Sequence, residues 1–287
     1  MIRLCGIAWL IGAGLLCAEP NEKGLWYVWD LHARQADDHK AVLAACIAFS
    51  RQNLEDPLVP VSNTLAAWHL LSLDKQDDAA KLLARYAGLK GNAVDENAAE
   101  MARAWLSRMD REQVREALQF YYRKEIKYPR TLKQLLEYPA LPPGLKIPAR
   151  DRFDQPWKYK LVGFARIPGL LDQKYALAST KLGIDSDLEE SMAWPYAARI
   201  RMVPVKMQPN GVQMNRGPVG IEGPQNTFLL GLGQKVEGVT LVYAGRNLLI
   251  LSDRDHWKVL RKPKVQDLFS PHLVPRGCTC PKRTLAL

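Results

Sequence analysis

The amino-acid sequence predicts an α+β protein whose parts follow one another along the chain, and three observations predict it. From Leu25 to about Lys127 apolar residues recur at helical spacing. Between Tyr128 and Lys160 the prolines at 129, 139, 142, 143, 148 and 156 forbid long helices. Beyond about Pro195 short β-rich runs alternate with Gly, Asn and Asp turns. The expected architecture is an N-terminal helical module, a helix-plus-small-sheet middle and a small C-terminal antiparallel barrel or sandwich.

The chain opens on "MIRLCGIAWLIGAGLLCAEPNEKG", in which Arg3 precedes an apolar run from Leu4 to Leu16 and then Cys17-Ala18. That order is expected of a secretory signal peptide over residues 1–18, cleaved after Ala18. A membrane span needs ~20 apolar residues, and no later segment offers them. The expectation is therefore a soluble periplasmic or secreted protein without a transmembrane span. Lipidation at Cys17 is the alternative form of the same export.

Residues 19–109 are expected to form the helical module. In Asp77–Gly88, Ala79, Leu82, Leu83 and Tyr86 fall on one helical face, and Gly88 supplies a stop. Ala98, Met101, Ala102, Trp105 and Met109 make a second stripe, separated from the first by Gly91-Asn92. The stretch "AAWHLLSLDKQDDAAKLLARY" resembles a tetratricopeptide hairpin; a single such unit reads as a helical module rather than a repeat array. A new helix is expected to begin at Asp110, with Gln113 as the reciprocal cap and Val114, Ala117, Leu118 and Tyr121 on its buried face.

Residues 110–192 form the expected middle domain. After that helix comes one short turn around Thr131–Glu137, then the strand-like "KYKLVGF" and "KYALAST". Residues 193–262 form the expected β domain, from "ARIRMVPVKM", "NTFLLGL", "GVTLVYA", "NLLILSD" and "WKVLRK". Residues 263–287 are a basic tail. The chain carries 40 Lys+Arg against 30 Asp+Glu, a formal charge of +10, and removal of Arg3 leaves +9. From His256 onward basic residues outnumber the single acid, Asp267. Such a tail suits anionic lipid or an acidic wall polymer. Export and the absence of an aromatic-studded basic groove argue against nucleic acid. Outside the leader stand Cys46, Cys278 and Cys280, which could give one disulfide and one thiol.

The segments "ALQFYYRKEIKYPRTLKQLLE", "DRFDQPWKY" and "YALASTKLGIDSD" lie between about Gln113 and Glu190. Together they resemble the globular part of a type II secretion major pseudopilin. Asp151, Pro156 and Tyr159 match that family's turn and strand directly, while Phe153 and Trp157 match as aromatics. Arg152 stands where the family has Pro, and Asp154 where it has a turn glycine. The similar region also begins mid-chain rather than after a fibre-core helix. The resemblance implies a helix laid on a small sheet, with Pro156 fixing a turn from which Phe153, Trp157 and Tyr159 cover that sheet. It also implies a calcium loop, for which Asp185, Asp187 and Glu189 are the candidate ligands. The family's glycine-rich continuation with a second acidic pair is missing, so the alternative is a solvated acidic turn. "FLLGLGQKVEGVTLVYAGRNLLILSDRDHWKVLR" resembles the small periplasmic barrel of inner-membrane clamp proteins in secretion and pilus systems.

Sequence motifs for catalysis are absent. No glycine-rich phosphate loop follows a strand, and neither Gly-x-Ser-x-Gly nor His-Glu-x-x-His occurs. His32 and His39, with Asp38 nearby, would share a face of one helix and read as solvated rather than metal-bound. Asp253, Asp255 and His256 in "DRDHW" read as a hairpin turn, and Trp26, Trp29, Trp68 and Trp105 as core. The expected function is a non-catalytic exported interaction or assembly protein, accessory to a type II secretion or type IV pilus-like apparatus, with protein partners in the cell envelope. The alternatives are an envelope-polymer-binding protein using the basic C-terminal region, and a hydrolase without a recognisable motif.

Overall fold

The computed structural model describes residues 19–145, 147–162, 174–193, 196, 203–208, 211–215, 227–253 and 255–262. Residues 1–18 (the expected leader), Cys278, Cys280 and the basic tail lie outside them. Among the described residues no helix is long and apolar enough to cross a membrane.

Helix starts follow local side-chain chemistry. Asn21 accepts from the Gly24 N–H and opens α1 (Glu22–Arg34), and Asp38 accepts from Ala41 and opens α2 (His39–Gln52). α3 (Val59–Ser72) is buried nearly all round, from Val59 to Leu71, and is the central helix of the bundle. α4 (Gln76–Tyr86) packs back on α3 as the hairpin expected from its apolar stripe. Asn92 and Asp95 then form a capping box for α5 (Ala93–Glu125).

The 33 residues of α5, about 50 Å of helix, correct the expectation of two helices. Asp110 is not a cap but a buried mid-helix carboxylate. It accepts two hydrogen bonds from Arg152, at 2.5 and 2.9 Å. An uninterrupted helical backbone lets one element serve two cores. Its first half, through Met109, packs in the bundle, and its second half, from Val114, packs against α6 (Leu132–Leu136), Trp157 and Leu177. The helix ends at Ile126, which takes the left-handed conformation.

β1 (Lys158–Val162) and β2 (Lys174–Ala178) pair antiparallel and lie on that second half. The turn before them, "DRFDQPWKY", is a junction. The Asp151 carboxylate accepts from the Phe153 and Gln155 N–H groups at 3.0 and 2.9 Å and from the Ser179 hydroxyl at 2.6 Å. The Arg152 N–H reaches Ser107 of α5, and Tyr159 donates to the Pro129 carbonyl. Trp157 is buried and donates to the Pro148 carbonyl. Phe153 departs from expectation: it faces the first half of α5, under the Arg103 guanidinium, rather than covering the sheet. Asp154 sits at φ 58°, the left-handed region that glycine tolerates best. Asp154→Gly should therefore be neutral or stabilising. A β-branched Asp154→Val should cost about 1–2 kcal/mol, read as a shift in the denaturant midpoint.

A short 3-10 turn (Ile184–Ser186) and α7 (Leu188–Ala193) return the chain to α5. A three-stranded sheet follows: β3 (Val203–Gln208), β4 (Gly211–Asn215) and β5 (Thr227–Gly231). The last sheet has four strands: β6 (Lys235–Val236), β7 (Val239–Ala244), β8 (Leu248–Asp253) and β9 (His256–Arg261). Strand alternation sends Leu248 and Ile250 into the helical core and Leu249 and Leu251 toward Met214 and Leu230. The four-stranded sheet is thus a middle layer between bundle and three-stranded sheet. Among the described residues no ladder closes a barrel. β4 and β6 were not expected, because "GVQMN" and "KV" carry too few β-branched or aromatic residues to signal strands.

The β region is also not a separate lobe, since Tyr196, Val242, Trp257 and Val259 belong to the helical core. Buried Glu22, at the start of α1, pins the two together. It accepts from the Tyr243 hydroxyl at 2.8 Å and from the Asn247 backbone and side chain at 2.7 and 2.9 Å.

Candidate functional site

The α1–α2 turn brings the end of α1 beside the start of α2, and α3 runs past both. Three histidines meet there. His39 Nδ1 lies 3.0 Å from His69 Nδ1, and His69 Nε2 lies 3.1 Å from His32 Nδ1. His69 is fully buried, His32 nearly so, and His39 partly exposed. Sequence reasoning placed His32 and His39 on one solvated helix. The helix breaks between them, and the third member, His69, came from an apolar run that reads as core.

The imidazoles stand among aromatic rings. Trp29 lies 5.2 Å and Tyr196 5.3 Å from His32, and Trp68 lies 5.7 Å from His39, centroid to centroid. They border a cavity of about 600 Å³ that opens to solvent and is lined in part by His32, Ala36, His39, Trp68, Met192 and Tyr196. Burial pushes the His32 pKa down to about 4 and that of His69 to about 3, with repulsion among the imidazoles adding to it. Both are neutral at physiological pH. Burial likewise raises the Tyr196 phenol.

Behind Tyr196 lies a second buried polar group. The Tyr196 ring lies 4.9 Å from that of His256, whose Nδ1 is 2.5 Å from Asp255 Oδ1. Asp255 is paired in turn with Arg108 of α5, which also donates to the Ser191 hydroxyl and the Asp185 carbonyl, both at 2.9 Å. "DRDHW" is indeed a hairpin turn, between β8 and β9. It also carries a buried ion pair that no local pattern advertises, because Arg108 lies 147 residues away.

The calcium candidates do not converge. Asp187 is engaged by Arg111 at 2.9 Å and caps α7 through the Glu190 N–H at 3.0 Å. Burial alone would raise its carboxyl, but that N–H and the Arg111 and Arg115 guanidiniums hold it below its ordinary value. The Asp185 carbonyl is turned to Arg108, and Glu189 is exposed. Among the described residues no three His, Cys, Asp or Glu side chains are placed to hold a metal. The acidic turn instead clamps successive turns of α5 through Arg108 and Arg111. Chelation with EDTA should accordingly leave the melting temperature within about 1 °C, and a calcium-dependent rise would restore the loop as a ligand set.

Trp29, Trp68 and Trp105 are core residues, as their spacing implied, although Trp68 also borders the cavity. Cys46 is a buried free thiol whose pKa burial pushes up to about 12, which leaves it unreactive. Compared with protein-family models, with curated proteins and with solved structures, the chain finds no match.

Proposed function

We propose that the chain is a non-catalytic, exported assembly component of the cell envelope, accessory to a type II secretion or type IV pilus-like apparatus. One observation carries the proposal: the helix–hairpin unit is fastened to the bundle by a shared helix, yet keeps an open strand edge. Among the described residues β1 and β2 pair as strands only with each other; Arg111 of α5 donates to the Leu177 carbonyl of β2, and β1 offers the open edge. Exposed Ile126, Leu136 and Val162 stand on the same unit. Strand edges of this kind recruit partner strands through main-chain hydrogen bonds. The stiff α5 would transmit such a contact to the bundle without a hinge.

The test is an affinity pull-down of the tagged protein from its own cell envelope, beside a Val162→Lys variant. Recovery of secretin, pseudopilin or pilus-assembly subunits, reduced by the variant, supports the reading. Recovery of wall polymer alone would move the assignment to the envelope-binding alternative.

A further inference from the structure

We propose that the His39–His69–His32 chain makes the cavity beside it a binding site for a small uncharged molecule that carries both a hydrogen-bond donor and an acceptor on an aromatic or apolar body.

The argument begins with proton counting. A neutral imidazole has one N–H and one lone pair. If His69 donates from Nδ1, His39 must accept at Nδ1, and His32 must donate into His69 Nε2. His39 then carries its proton on Nε2, and His32 shows a bare Nε2. If His69 donates from Nε2, every assignment reverses. With all three imidazoles neutral, the two contacts at 3.0 and 3.1 Å allow only two registers. In both, the outer nitrogens of His32 and His39 are opposite in kind.

Both outer residues line the cavity. Among the described residues neither outer Nε2 has a protein partner. The site therefore offers one donor and one acceptor at once, and can exchange them by shifting protons through His69. Trp68, also on the wall, adds an aromatic face. Apart from Asp37 and Ser72 the remaining wall is apolar or aromatic, including Leu71, Met192 and Tyr196, and the volume of about 600 Å³ suits a compact ligand.

Charge and coordination narrow the class. Burial keeps His32 and His69 neutral at physiological pH, so neither supplies a cation to hold an anion there. Among the described residues Asp37 is the single acidic side chain lining the cavity. His69 spends its two nitrogens on two different neighbours, so the three imidazoles do not present ligands to one metal. What remains is neutral, two-handed hydrogen bonding against aromatic faces.

The first test needs no ligand. Long-range ¹H–¹⁵N correlation spectra of the histidine-labelled protein at pH 7.5 should show His32 and His39 in opposite tautomers, or complementary averages if the registers exchange. The same tautomer on both, or an imidazolium at His69, overturns the proposal. The second test titrates three probes at pH 7.5: benzamide, toluene and benzoate. Benzamide should bind at least about tenfold more tightly than toluene, the worth of one or two neutral hydrogen bonds, and more tightly than benzoate. His39→Leu, at a partly exposed position that should leave the fold intact, removes one of the two hydrogen-bonding ends and should weaken benzamide several-fold while leaving toluene unchanged. Equal binding of benzamide and toluene, or tighter binding of benzoate, overturns the proposal. Neither result depends on the secretion assignment.

Discussion

Acidification from pH 7 to pH 5 should lower the melting temperature well before the carboxylates titrate. His32 and His69 have folded pKa values of about 4 and about 3, below the value near 6.5 of an unfolded histidine. Between those limits the unfolded chain binds more protons than the folded one, so stability falls as pH falls. By pH 5 each histidine should contribute a loss on the order of 2 kcal/mol, and at about 2–4 °C per kcal/mol the two together should lower the midpoint by roughly 8–16 °C. Asp187 and Glu22, whose carboxyls are held low in the fold, add their losses further down the scale. The measurement is a series of thermal melts from pH 7.5 to 4, with His69→Phe as comparison. That variant should flatten the slope between pH 6.5 and 5. A midpoint constant over that range would mean that the imidazoles are wet.

Removing Asp255 should be the most damaging single change at a polar position. Arg108 is fully buried, with its guanidinium 4.6 Å from the Trp105 ring, and Trp105 donates to the Asp255 carbonyl at 3.0 Å. Asp255→Ala removes the carboxylate that pairs with the buried Arg108 cation, while neutral contacts such as the Ser191 hydroxyl and the Asp185 carbonyl stay in place. Loss of one member of such a pair costs about 3–5 kcal/mol, enough to unfold many domains. The double variant Arg108→Met, Asp255→Leu removes both charges together and should cost less than the sum of the single changes. Denaturant midpoints for the four proteins close the cycle. A loss below about 1 kcal/mol for Asp255→Ala would show that water reaches the pair.

Local chemistry was legible wherever neighbours in sequence decide the outcome. The Asn92 break, the short Thr131–Glu137 turn, the two strands of the small hairpin and the β8–β9 turn were all readable from periodicity and turn residues. So was the core role of the tryptophans at 29, 68 and 105. Asp110 misled because an acid followed by Gln three residues on is also what a helix interior shows when a distant arginine neutralises it. The candidate site was half legible: His32 and His39 stood out, but as isolated polar residues.

By itself, then, the sequence determined the α+β class, the order of textures and most element positions, because those depend on side-chain period and on proline and glycine geometry. Only the tertiary structure decided that α5 is one helix with two cores, that the last sheet is a middle layer rather than a barrel, and that His69 joins His32 and His39. It alone also turned the Asp185–Glu189 stretch into a clamp on α5. Each of these outcomes rests on contacts between residues far apart in the chain, whose free energy comes from shared burial and charge pairing. No local pattern encodes which distant partner will satisfy a buried polar group.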